Sequence, residues 1–125
     1  MNVKTTYRGI VLKVDDVPRP FDLVTYFLAE KGLKILIARD GEEGIQIAEQ
    51  AQPDVILLDL LMPGINGFEA YQILQSKETT KDIPVIFAFS KKEFFPPEIL
   101  ELEYMTKPLQ PEEVWEHVKK YLKPA

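Results

Sequence analysis

Four side chains in this sequence have types and positions suited to handling a phosphoryl group: Asp15, Asp16, Asp59 and Lys107. Three carboxylates held together repel, and each resists ionising without a counter-charge. A hard divalent cation supplies that charge, and an oxygen-only donor set fits Mg²⁺. Lys107 adds a second positive charge for the same anion. An Asp carboxylate can act as a nucleophile and form an acyl phosphate, and phosphoryl transfer requires mostly positioning and charge neutralisation. Taken singly, each residue has an ordinary role. Asp59 caps the next segment, Asp15 or Asp16 caps a helix, and Lys107 is a surface charge. Their conjunction at successive strand ends is much less expected by chance.

The positioning elements are legible around Asp59. Pro53-Asp54 signals a turn, Val55 to Leu58 is an unbroken apolar run, and Pro63-Gly64 forces a second turn. Such a run reads as a strand buried on both faces of a parallel sheet. Asp59 then lies at the strand's carboxyl end, where ligands bind in open parallel sheets. Gly9–Val14 and Leu33–Ala38 read as strands, as do Ile83–Phe89, opened by Pro84, and the short Tyr104–Thr106. Between them, Leu23, Val24, Phe27 and Leu28 recur at helical spacing up to Gly32, after Pro18 and Pro20, which admit a loop or a helix start. Asp40 with Glu43 and Asn66 with Glu69 are capping patterns that open two more helices. Pro96-Pro97 leaves room only for a short helix near Glu98–Leu102. Pro111, with Glu112 and Glu113, opens a last helix whose inner face is Val114, Val118, Tyr121 and Leu122, with Lys119 and Lys120 near its end. Strands alternate with helices, five of each counting the short one. This predicts an α/β fold, a doubly wound five-stranded parallel sheet in a three-layer sandwich with right-handed crossovers and a shortened or irregular fourth helix.

The 125 residues suffice for one domain, 1–125, with residues 1–8 a polar, frayed start. A net charge of −5 argues against a general nucleic-acid or membrane surface. The absence of cysteine excludes disulfides and thiolate metal sites, and His117 alone makes no zinc cluster. No apolar run reaches membrane-spanning length and no signal peptide is evident, so a cytoplasmic setting is expected.

The chain resembles the CheY-like receiver domains of two-component response regulators over nearly its whole length. The matching stretches are Val14-Asp15-Asp16, Leu57-Leu58-Asp59-Leu60-Leu61-Met62-Pro63-Gly64-Ile65-Asn66-Gly67-Phe68-Glu69, Ile83-Pro84-Val85-Ile86 and Tyr104-Met105-Thr106-Lys107-Pro108. The resemblance implies a flavodoxin-like fold and a phosphorelay role. Asp59 would accept a phosphoryl group from a histidine kinase or a histidine phosphotransfer protein. Asp15, Asp16, Asp59 and the backbone carbonyl of Leu61 would hold Mg²⁺, and Lys107 would pair with the phosphoryl group. Pro63, Gly67 and Pro108 would be structural, with the bond before Pro108 often cis in the family. The catalysis implied is autocatalytic phosphotransfer and self-dephosphorylation, without a separate output enzyme or DNA-binding region. The domain would stand alone or be fused to a larger signalling protein such as a hybrid kinase.

Two departures from the family pattern stand out. Five residues after Pro84, where the family usually has Thr or Ser, this chain has Phe89, with Ser90 a possible substitute after a one-residue slip. Phe89 cannot hydrogen-bond phosphate, and its bulk would oppose inward movement of Tyr104, which matches the family's aromatic switch position. The segment from Phe89 to Lys107 is also short, with Glu101-Leu102-Glu103 before the last strand. These departures support an alternative, a degenerate receiver that acts as a phosphorylation-independent interaction module. A haloacid-dehalogenase-like phosphatase would need an acid two residues after Asp59, where Leu61 stands, and a flavin site would need a Ser/Thr/Gly-rich loop after the first strand. Trp115 reads as a partly buried packing residue, His117 as a solvated helix residue, and Phe94-Phe95 as core or an exposed patch, with core favoured.

Overall fold

The computed structural model describes residues 6–17 and 22–124; the loop or helix start expected at Pro18 and Pro20, and residues 1–5 of the expected frayed start, lie outside the described residues. Five strands build one sheet: β1 (Ile10–Val14), β2 (Lys34–Ala38), β3 (Val55–Asp59), β4 (Val85–Phe89) and β5 (Tyr104–Thr106). Four helices connect or follow them: α1 (Leu23–Glu30), α2 (Gly41–Ala51), α3 (Gly67–Ser76) and α4 (Pro111–Val118), and a 3-10 turn over Pro97–Glu101 lies between β4 and β5. The strand order is β2-β1-β3-β4-β5, all parallel. This is the flavodoxin-like doubly wound arrangement, as expected, and the link expected to be short and irregular is the 3-10 turn.

Strand alternation sorts the core into two layers. Leu12, Val14, Ile56, Leu58, Phe87 and Phe89 pack on the side of α2 and α3. Val11, Val55, Leu57, Ile86 and Met105 pack on the side of α1 and α4. The central strand β3 is buried along its whole length, which explains its unbroken apolar sequence.

The helix starts follow their capping residues. Asp22 accepts from Thr25 N at 2.7 Å, Asp40 from Glu43 N at 2.8 Å and Asn66 from Glu69 N at 2.8 Å. Around Asn66 the capping box is complete, because Glu69 accepts from Asn66 N at 2.9 Å. Glu43 instead reaches one residue further back, to Arg39 N at 2.9 Å.

Several boundaries differ from the sequence reading. Ile83 and Pro84 stay outside β4, since proline has no amide to donate, but the Pro84 carbonyl still accepts from Ile56 N at 2.9 Å. Tyr7–Arg8 are not frayed; they pair antiparallel with Lys123–Pro124, and Tyr7 meets Trp115 edge-on at 4.9 Å. Leu23 is exposed and Thr25 takes its inward place in the first helical turn. The last helix ends at Val118, and Lys119–Tyr121 form a 3-10 turn in which Tyr121 points outward to Glu103. Trp115 is the buried residue in its stead. His117 is half-buried on the last helix rather than fully solvated, and its Nδ1 lies 2.5 Å from Glu103 Oε2. Phe94 and Phe95 part company, with Phe94 99% exposed and Phe95 packed against the α2–α3 core.

Candidate functional site

The site is assembled at the carboxyl edge of the sheet. Asp59, the last residue of β3, lies opposite Ala88 of β4 and shares its face with Leu57. Thr106 ends β5 opposite Phe89, so Lys107, one residue on, faces the same layer as Asp59 and Ala88. Lys107 Nζ donates to Asp59 Oδ2 at 3.0 Å. Asp15 and Asp16 follow β1, which pairs with β3 on its other side. One carboxylate oxygen from each of Asp15, Asp16 and Asp59 lies within 4.8 Å of the others. Together they line a cleft of about 440 Å³ with Lys107, Pro108 and Leu109 on its far wall.

Backbone geometry holds this edge in place. Asp15 N donates to the Ala38 carbonyl at 3.0 Å, and Asp15 Oδ1 accepts from Val17 N at 3.0 Å. After β3 the chain turns at Pro63-Gly64, where Gly64 has φ +78°, a conformation that favours glycine. Gly67 N then donates to the Leu60 carbonyl at 2.7 Å. A Cβ on Gly67 would stand 2.1 Å from the Asp59 carbonyl oxygen, so only glycine lets α3 start against the strand that carries Asp59. The Lys107–Pro108 peptide bond is cis.

The electrostatics match an under-compensated acidic cluster. Asp59 is 5% exposed. Burial pushes its carboxyl up to about 7; Lys107 pulls the other way, and the neighbouring Asp15 carboxyl adds to the rise. The lysine itself is raised: burial works against its charge, but Asp59 outweighs it, with smaller help from Asp15 and Glu93. Among the described residues, Lys107 is the cation bonded within this group of three carboxylates.

Other sequence-predicted side chains lie apart from the cleft. Phe89 is 0% exposed and packs in the α2–α3 layer, with ring centroids 4.8 Å from Phe95 and 5.4 Å from Tyr104. β4 runs without a bulge to Phe89, and Ser90 Oγ accepts from Lys92 N at 3.2 Å. The Leu61 side chain is exposed, and Pro63 is exposed in the turn.

Sequence reasoning missed two features. Lys13 is an inward position of β1, 8% exposed, and its ammonium bonds the carboxylate of Asp22, the cap of α1. Burial works against the Asp22 charge, but the Lys13 and Thr25 bonds outweigh it and hold the carboxyl below its usual range. Lys13 and Asp22 form part of the cleft wall beside Asp15. A lysine inside the apolar run Ile10-Val11-Leu12-Lys13-Val14 was the available signal, since a buried lysine needs a partner. The second is Glu93, outside the cleft lining, whose buried Oε2 has no hydrogen-bond partner among the described residues and whose sequence carries no comparable mark.

The comparisons agree with this geometry. The family model described as "Response regulator receiver domain" matches residues 11–119. The chain is 41% identical over 81 residues to the protein PilH of Pseudomonas aeruginosa, covering 65% of this chain and 67% of PilH. It is 36% identical over 118 residues to the alkaline phosphatase synthesis transcriptional regulatory protein PhoP of Bacillus subtilis, covering 90% of this chain and 48% of PhoP, so it spans about half that relative's length. The solved structure of the chemotaxis protein CheY4 of Vibrio cholerae superimposes with TM-score 0.78 at 27% identity, covering 91% of this chain and 98% of CheY4. A matching sheet order, an acid at each of two adjacent strand ends and a family match over residues 11–119 lead to one assignment: the chain belongs to the receiver-domain family of response regulators.

Proposed function

We infer that Asp59 is the phosphoacceptor of a two-component phosphorelay, charged by a histidine kinase or a histidine phosphotransfer protein. The observation that carries this reading is the cluster itself: three carboxylates within 4.8 Å, with Lys107 bonded to the buried one. The donors suit Mg²⁺, because all are oxygens and because one lysine leaves them with excess negative charge. Asp15, Asp16, Asp59 and the Leu61 backbone carbonyl would hold it. When bound, Mg²⁺ supplies charge neutralisation for the carboxylates and for the phosphoryl oxygens.

The chain's own residues then have defined roles. An Asp59 carboxylate oxygen attacks the phosphorus of the phosphohistidine; the O–P bond forms as the N–P bond breaks, and the imidazole nitrogen leaves with the electron pair. The Lys107 ammonium shifts from Asp59 to a phosphoryl oxygen and stabilises the charge carried there. Hydrolysis of the acyl phosphate by water returns Asp59 and inorganic phosphate. We place this in the cytoplasm; no helix among the described residues is long and apolar enough to cross a membrane. The domain stands alone or is fused to a larger signalling protein, the second supported by the greater length of relatives such as PhoP, of which the match covers 48%.

One observation favours the second reading, a receiver that signals through contacts alone. The position counted from Pro84 as the family's hydroxyl slot is Phe89, buried among Phe95 and Tyr104. Our reading keeps Asp59 phosphorylation and makes the Tyr104 switch weak or replaced. Phosphate incorporation at Asp59 separates the two. For the switch, a beryllofluoride titration with Mg²⁺ should leave the Tyr104 ring resonances nearly in place; full inward rotation of that ring would contradict it.

A further inference from the structure

Strand β1 carries one charged side chain, Lys13, in an otherwise apolar run. Lys13 lies opposite Ile37 of β2 and Leu57 of β3. Alternation puts it on the same face as Asp15, two residues before it. Val11, Val55 and Leu57 in that layer are buried and apolar. Lys13 is itself 8% exposed, and its ammonium bonds the Asp22 carboxylate. Both residues line the cleft that holds Asp15, Asp16 and Asp59.

Stability alone does not account for this pair. Apolar side chains of similar volume commonly serve a buried site as well as an ion pair does. Capping α1 does not need the charge either, because Asn caps a helix as well as Asp. The charge does bear on the cleft. Among the described residues, its lining holds four carboxylates, Asp15, Asp16, Asp22 and Asp59, and two lysines, Lys13 and Lys107. Each lysine is bonded to one acid, Lys107 to Asp59 and Lys13 to Asp22. A cleft with low-dielectric walls concentrates the field of the charges that line it, so an unpaired Asp22 would repel an entering anion and add to the pull on a cation.

We propose that Lys13 is a positioning residue for the phosphoryl chemistry: by pairing with Asp22 it cancels that charge in the cleft wall, so that the metal site remains a three-acid site and an anionic phosphodonor can enter. The inference rests on Asp59 being the phosphoacceptor.

The test compares two donors of different charge, the monoanion phosphoramidate and the dianion acetyl phosphate, on the whole chain at saturating Mg²⁺, with the adduct followed by intact mass. Lys13→Met should lower the second-order rate constant about three-fold or more for acetyl phosphate and less for phosphoramidate, because the field acts in proportion to donor charge. Lys13→Gln, which keeps a hydrogen-bond donor for Asp22 without the charge, should behave alike. Adding Asp22→Asn to either variant, with the cap retained, should restore both rates. No loss, an equal loss with both donors, or a loss that Asp22→Asn leaves in place would overturn the proposal, the last two marking a merely structural tether. Calorimetric titration with Mg²⁺ needs no phosphate: Lys13→Met should bind the metal about two-fold or more tighter, and Asp22→Asn in the same chain should remove the gain. Unchanged or weaker binding would contradict a charge role for Lys13. If the metal result holds and the wild type takes no phosphate, the phosphoacceptor reading falls alone and Lys13's effect on the metal site stands.

Discussion

Ala88 and Phe89 are neighbours on β4 and belong to two differently built regions. Ala88 lies opposite Asp59 and lines the acidic cleft. Phe89 turns into the other layer and joins Phe95 and Tyr104 in an apolar block. In the cleft, carboxylates that disfavour one another are held by backbone geometry, the Gly67 approach and the turn at Pro63-Gly64, and by the Lys107–Asp59 side-chain bond. In the block, shape alone decides, and Phe89 and Phe95 offer no polar side-chain atom to sense a new charge. The cleft is therefore equipped for a change of charge, and its immediate neighbour is equipped to ignore one.

Four substitutions sharpen or break that contrast. Phe89→Ala removes the centre of the block and leaves a cavity beside Tyr104. It should cost about 3–5 kcal/mol in urea unfolding, while Mg²⁺ titration of the folded protein stays close to wild type. Loss of metal binding in the folded variant would show that the block supports the cleft. Gly67→Ala acts on the other region. The methyl must clear the Asp59 carbonyl, so α3 shifts, with a cost of about 2–3 kcal/mol and weakened Mg²⁺ binding; an unchanged affinity would mean that α3 does not position Asp59.

Glu103→Gln tests a charged cluster whose side chains belong to neither region. Glu103 accepts from Lys120 at 2.5 Å, from Tyr121 and from His117, tying the start of β5 to the last helical turn. Burial opposes its charge, but these partners outweigh it and lower its carboxyl below 4.5; in return the Tyr121 hydroxyl is pushed up to about 12, first by its bond to Glu103. A lowered acid contributes stability above its unfolded value and loses it as pH falls through the folded value. The variant should thus lose about 1 kcal/mol at pH 7, with the difference shrinking as pH drops below 4.5. A constant difference across that range would remove the electrostatic explanation. Smallest is Phe94→Ser: the ring is exposed, so stability should change by less than about 0.5 kcal/mol. A larger loss would place Phe94 in the block with Phe95.

The fold was legible because its strands are either continuously apolar, as in Val55–Leu58, or end in an acid beside a turn signal. Caps at Asp40 and Asn66 and the Pro96-Pro97 break fixed where helices start and where one fails. The residues gathered in the cleft were legible because they are consecutive with those strands. What escaped depends on partners distant in sequence. Lys13 and Asp22 pair across a strand and a helix start. His117 and Tyr121 converge on Glu103, and only the tertiary fold brings those together. Tyr7–Arg8 read as frayed because their partners, Lys123–Pro124, lie at the other end of the chain. Phe94 and Phe95 carry the same side chain, and only the loop path decides which one is covered.

The most direct measurement is intact mass after incubation with phosphoramidate and Mg²⁺, on the wild type and on Asp59→Asn. The expected result is one phosphate adduct on the wild type, lost when the metal is chelated and absent from Asp59→Asn. An adduct that persists in Asp59→Asn, or none on the wild type even with a phosphorylated histidine phosphotransfer protein as donor, would contradict Asp59 as the phosphoacceptor.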